Sequence, residues 1–190
     1  LAPVPRAGDP EGDRLRGTCL PVPAALAIAL LLQPSPSAQA AVSEGGKAPL
    51  AAITGVVDAE GRPVDLSRLT LSSNVHAGDP AARATLLVFW ASWCFPCINE
   101  IPVLNELQRF YGKRGLRVLG LGVREGNETL ERLKQTAAKY GVTYPLFFDS
   151  QGSAQKAFDL SAVPMSALID ASGTVRWIGA GDRGISIFGV

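Results

Sequence analysis

The chain has 190 residues, 47% of them hydrophobic, and a formal net charge of +1. That length allows one domain with a buried core plus a terminal extension, and so even a charge balance argues against a nucleic-acid partner. Three cysteines, one histidine and one methionine argue against a four-ligand zinc site, since Cys19, His76, Cys94 and Cys97 fit no zinc spacing. No metal and no cofactor are expected. The lone His76, in a polar loop, also argues against Ser-His-Asp or Cys-His catalysis.

Residues 1–40 read as a cleaved signal peptide. Arg14 and Arg16 precede an apolar run from Leu20 to Leu32, and Ala38-Gln39-Ala40 follows as an A-x-A cleavage site. The alternative is an uncleaved anchor, although the run is shorter than the ~20 residues a spanning helix needs. Either reading places the rest of the chain in the periplasm or otherwise outside the cytoplasm. Cleavage after Ala40 would discard Cys19.

Residues 41–52 are small and polar, a flexible lead-in to a domain over 53–179. Ile53–Val57 and Pro63–Leu66 flank the turn signal Ala59-Glu60-Gly61 and predict an N-terminal β-hairpin. Residues 72–84 read as a loop. Thr85–Trp90 is a continuous apolar run, as in a strand buried on both faces. A helix is expected to open near Cys94, with Ile98, Ile101, Leu104, Leu107 and Phe110 as its apolar stripe, a kink at Pro102 and a stop at Gly112 or Gly115. A strand over 116–123, a helix over 128–140, a strand over 144–148 and a short helix over 153–158 follow. Strands at 166–169 and 174–178 close the series as a hairpin around Asp170-Ala171-Ser172-Gly173. The fold class is α/β: a mixed central sheet with helices on both faces. Residues 180–190 show no helical pattern and read as an irregular tail, truncated or divergent.

The pair Cys94–Cys97 carries the chemistry. It follows a buried strand and opens an amphipathic helix, where residues three apart share a face and the two sulfurs can meet. Unpaired N–H groups at the helix start favour a thiolate, the form that attacks disulfides. Cys94, nearer the helix end and the surface, is the expected attacking thiol. Cys97, one turn in and more buried, would resolve the mixed disulfide. Pro96 suits the first helical turn because it lacks an N–H. An inert crosslink is the competing reading, but so short a loop gains little stability from closure. Pro164 taken alone reads as a proline opening a strand.

Phe89-Trp90-Ala91-Ser92-Trp93-Cys94-Phe95-Pro96-Cys97, with Glu100-Ile101-Pro102 and Val163-Pro164 through Asp170, resembles the thioredoxin superfamily and its TlpA/ResA-like extracytoplasmic branch. The resemblance covers about residues 53–179. It implies a thioredoxin fold with a central β-α insertion, a cis Pro164 beside the cysteines, and a Val163 backbone that pairs with a bound substrate chain. It implies that Trp93, with Phe95 and Pro96, forms an apolar docking surface. Trp90 reads as core packing. The chain departs from the pattern in four places. Val88 stands where thioredoxins carry a buried acid, which leaves Glu100 as a candidate proton acceptor against the reading of a surface carboxylate. Ala162 replaces a frequent glycine, Met165 and Ser166 replace frequent threonines, and the tail lacks the family's closing helix.

The function read from these residues is a protein thiol–disulfide oxidoreductase. It is expected to act as a reductant, because Phe95-Pro96 offers no histidine or polar group to stabilise the Cys94 thiolate further. Expected partners are disulfide-containing proteins, apocytochrome c among the candidates through cytochrome c maturation, and a membrane electron donor; the protein is expected to be a monomer. Alternatives are a peroxiredoxin-like peroxidase, which would need a T-x-x-C context, a copper chaperone of the Sco type, which would need C-x-x-x-C and a later histidine, and a degenerate non-catalytic domain.

Overall fold

The computed structural model describes residues 42–71 and 82–180. The leader reading of residues 1–40, Cys19, His76 and residues 181–190 of the tail lie outside the described residues. Six strands form one sheet: β1 (Val56–Asp58), β2 (Ala84–Trp90), β3 (Leu116–Gly122), β4 (Leu146–Asp149), β5 (Met165–Asp170) and β6 (Val175–Ala180), in the order β1-β4-β3-β2-β5-β6. The β2–β3 and β3–β4 pairs are parallel. The β1–β4, β2–β5 and β5–β6 pairs are antiparallel. The helices are α1 (Leu66–Leu71), α2 (Phe95–Tyr111), α3 (Leu130–Tyr140) and α4 (Ser153–Ala157).

The apolar run predicted as a central strand is β2, and its alternate residues serve opposite faces. Leu86 and Val88 pack with Leu104, Leu107, Val118 and Tyr144. Leu87 and Phe89 pack in a larger cluster that also holds Cys94 and Cys97, where the Phe89 and Phe158 rings meet at 5.0 Å. Parallel pairing on one flank and antiparallel on the other gives the mixed sheet that the strand–helix alternation implied.

The first hairpin is present in reduced form. Asp58 N–H donates to Arg62 O at 3.0 Å and Val64 N–H to Val56 O at 2.9 Å, but the only ladder contact is Val57 with Pro63. Pro63 has no N–H to extend the ladder. The Asp65 carboxylate then accepts from Ser67 N at 2.9 Å and also from Arg68 N, capping α1 where a second strand was expected. Residues 42–52, read as a lead-in, are tied to the last hairpin: Gly45 N–H donates to Val175 O, Val175 N–H to Gly46 O and Ala48 N–H to Gly173 O.

α2 runs on through Pro102. Both expected stop glycines are used, Gly112 at the end of α2 and Gly115 after one further 3-10 turn, at φ +93°. α3 is capped by the Thr129 hydroxyl and closes at Gly141, φ +70°. Its Leu133 fills the space over Gly122. The Asp149 carboxylate, fully buried, accepts from the N–H groups of Ser153, Ala154 and Gln155 and so fixes α4. No helix among the described residues is long and apolar enough to cross a membrane.

Candidate active site

At the end of β2 the ladder runs out. Val123 N–H donates to Trp90 O at 3.0 Å, and beyond it Cys94 N–H folds back to Ala91 O at 3.1 Å. This turn delivers Cys94 to the start of α2. Cys94 is the N-cap, with extended backbone, and its Sγ accepts from Cys97 N at 3.2 Å. Pro96 sits in the first turn, where its missing N–H costs nothing. Cys94 and Cys97 form a disulfide with the sulfurs 2.02 Å apart and the Cα atoms 5.3 Å apart.

Exposure does not separate the two cysteines as expected: both are 3% exposed. Both belong to the packed core cluster around Leu87 and Phe89. What distinguishes them is position, because only Cys94 occupies the cap where an N–H already points at its sulfur. The aromatic rims differ from the sulfurs. Trp93 is 47% and Phe95 70% exposed, a large apolar surface on both sides of Cys94. Trp90 is buried core, as read. Its Nε1 has no hydrogen-bond partner among the described residues, a cost of roughly 1–3 kcal/mol that the packing of its ring must outweigh.

The Val163–Pro164 bond is cis. Met165, the next residue, pairs with Phe89, so one step further along the ladder puts Pro164 beside Trp90 and Val163 beside the turn that carries Cys94. Pro164 is buried, and Val163 packs against the cluster that contains both cysteines. Cys94, Cys97, Trp93, Phe95, Pro96, Val163 and Pro164 thus come from two segments that the sheet brings to one end.

Val88 lies in the apolar cluster on the α2 side, so β2 offers no carboxylate beneath the cysteines. Glu100, on α2, is half-buried. Its charge is felt at Tyr144, whose phenol is pushed above its usual range first by burial and second by Glu100.

One residue near the site was not read from the sequence. Glu128 is 5% exposed, and its carboxylate accepts from Ser92 N at 2.6 Å and from Thr129 N at 3.2 Å. A glutamate just before a Thr helix cap looks like an exposed charge at a helix start. Only the sheet, which brings the β3–α3 connection against the 91–94 turn, reveals otherwise.

The family model described as AhpC/TSA family matches residues 45–178. Thiol-disulfide oxidoreductase ResA from Geobacillus kaustophilus is 34% identical over 100 residues, 53% of this chain and 56% of that protein. ResA from Bacillus thuringiensis subsp. konkukian is 30% identical over 120 residues, 63% of this chain and 61% of that protein. The chain therefore spans less than two thirds of the length of these curated relatives. Among solved structures, a candidate thiol:disulfide interchange protein DsbE from Chlorobium tepidum superposes with a TM-score of 0.60 at 24% identity, covering 76% of this chain and 92% of that one. That likeness carries the thioredoxin fold.

Proposed function

Because the chain belongs to the AhpC/TSA family and has the thioredoxin fold, we propose that it is a protein thiol–disulfide oxidoreductase acting through Cys94 and Cys97. The observation that carries this reading is the disulfide at the first turn of α2, with Cys94 as the helix cap. The similarity to proteins named ResA supports it.

In the reducing direction the Cys94 thiolate attacks one sulfur of a substrate disulfide. A mixed disulfide forms and one substrate thiolate leaves. The Cys97 thiolate then attacks Cys94 Sγ, the Cys94–Cys97 bond forms and the second substrate thiol departs. Two electrons pass to the substrate, and a donor dithiol must return them. The Cys97 N–H and the positive end of α2 stabilise the Cys94 thiolate as both attacker and leaving group. Trp93, Phe95 and Pro96 supply apolar contact, and the Val163 backbone offers strand-like hydrogen bonds to the substrate chain. Glu100 is the carboxylate on α2 one turn beyond Cys97 and would take its proton.

The reductant direction follows from the lack of a polar group between the cysteines. The leader read in residues 1–40 supports action outside the cytoplasm, with apocytochrome c among the candidate substrates and a membrane dithiol as donor. A peroxidase is not favoured, since Ala91 stands where a T-x-x-C context requires threonine.

Trapping tests the reading. Cys97→Ala leaves Cys94 able to form mixed disulfides that nothing resolves. The expected result is covalent adducts with oxidised protein substrates, released by dithiothreitol and lost in Cys94→Ala. If Cys97→Ala forms no adduct while Cys94 still reacts with a small alkylating reagent, protein exchange is refuted.

A further inference from the structure

β3 outruns its neighbour at the end of the sheet away from the cysteines. β4 starts opposite Gly120, so Leu116–Leu119 have β2 on one flank and no strand on the other among the described residues. The Val118 N–H is taken instead by the Gln108 side chain, whose Oε1 accepts at 2.8 Å. This leaves a slot at the sheet edge, a cavity of about 610 Å³ lined by the end of α2 and its 3-10 turn, the first hairpin and Leu69 of α1. Pockets of roughly 300–1,000 Å³ hold drug-sized molecules.

The walls are apolar. Val64, Leu69, Leu116 and Leu146 line the slot and are only half-buried, so part of each side chain stays in water, where burial would stabilise by about 25 cal/mol per Å². The charged lining is positive in balance: Arg62, Arg109, Lys113 and Arg117 against Asp58 and Glu60. Both carboxylates are already paired with Arg62, and Arg109 is paired with Glu106. Arg117 donates to Leu69 O, which occupies a donor and leaves the charge in place. Lys113, exposed on the 3-10 turn, has no ion pair among the described residues.

We propose that this slot binds a free organic anion, a carboxylate on an apolar body, with the body against Leu116 and Leu146 and the carboxylate at Lys113. The lining sets both requirements. An organic cation would meet only carboxylates that Arg62 already holds, and an inorganic anion would leave the apolar walls in water. The slot is not part of the dithiol site. β3 runs from Leu116 at the slot to Gly122 beside Trp90, a span of roughly 20 Å at the rise of a strand. Binding there is independent of the state of Cys94 and Cys97, so the inference goes beyond the thiol–disulfide reading and does not rest on it.

The probe is octanoate, with 1-octanol as its uncharged counterpart, titrated into the full oxidised chain and followed by amide shifts in nitrogen-15 NMR spectra. Saturable shifts are expected at Gly112, Lys113, Leu116 and Leu146, with a dissociation constant of about 1 mM or tighter. Octanol and the variant Lys113→Glu are each expected to bind about fivefold more weakly or worse, and added salt to weaken octanoate binding. Lys139→Glu, at an exposed lysine of α3 that does not line the slot, is expected to keep the wild-type affinity, as is the reduced protein. No saturable shifts, or shifts confined to the Trp93–Phe95 surface, overturn the inference. So do octanol binding as tightly as octanoate, an unaltered affinity in Lys113→Glu, and an affinity lost on reduction.

Discussion

Replacing Gly122 with alanine sets a methyl group against the side chain that seats α3. Gly122 pairs with Trp90 across β2 and β3, and its missing side chain leaves the space that Leu133 fills. A Cβ there would lie 2.5 Å from Leu133 Cδ2 and 2.9 Å from Cδ1, where ordinary contacts need about 3.5–4.0 Å. Leu133 is fully buried, so its methyls have nowhere open to move. Overpacking of this kind costs about 1–3 kcal/mol. Gly→Ala returns roughly 0.4–1 kcal/mol through the unfolded chain, since the backbone here needs no positive φ. With central values of about 2 and about 0.7 kcal/mol, the expected net loss is about 1.3 kcal/mol, or a Tm lower by about 3–5 °C for a chain of this size. Urea unfolding of the oxidised protein measures it. The mechanism predicts coupling as well as loss. Leu133→Ala alone should cost about 2–5 kcal/mol, and the double variant should lose less than the sum of the two by about 1 kcal/mol or more. A Gly122→Ala protein as stable as wild type, or strictly additive variants, would refute the packing argument.

Asp149→Ala removes the acceptor for three N–H groups at the start of α4 and should cost about 2 kcal/mol in urea unfolding. Asp170 anchors the β5–β6 turn; its carboxyl is held below the usual range first by the Ser172 hydroxyl, then by the Thr174 amide and Arg176. A depressed folded-state pKa stabilises above the unfolded value and is lost as pH falls through the folded one, so Asp170→Asn should be less stable than wild type at neutral pH and converge with it in strong acid. Convergence on the alkaline side instead would refute this. Phe95→Ser, at a side chain 70% exposed, should leave stability within about 0.5 kcal/mol while raising KM for a protein disulfide several-fold, with alkylation of Cys94 by a small reagent unchanged.

The sheet and its site were legible where one residue pattern admits one structure. The apolar run at Thr85–Trp90 had to be a strand buried on both faces, and the cysteine pair directly after it had to open a helix. Gly115, Gly141 and the Asp170–Gly173 turn marked their boundaries because glycine at positive φ and aspartate act there through local backbone chemistry, whereas Gly112 keeps helical backbone and passes straight into a 3-10 turn. The second arm of the first hairpin was less legible, because Pro63 ended the ladder and Asp65 capped a helix within three residues. The disposition of residues 42–52 depended on contacts with a hairpin more than a hundred residues away in sequence. The equal burial of Cys94 and Cys97 depends on a core cluster drawn from several segments, and the burial of Glu128 and Asp149 likewise on contacts between segments. No local pattern carries such information.

The most direct measurement is insulin reduction with dithiothreitol as electron source, comparing the wild type with Cys94→Ala and Cys97→Ala. Wild-type protein is expected to accelerate precipitation of the reduced insulin chain well above dithiothreitol alone, Cys94→Ala to fall to that background, and Cys97→Ala to stall as a mixed disulfide. A wild type no faster than background, or a Cys94→Ala variant as fast as wild type, would contradict the assignment of thiol–disulfide exchange to this pair.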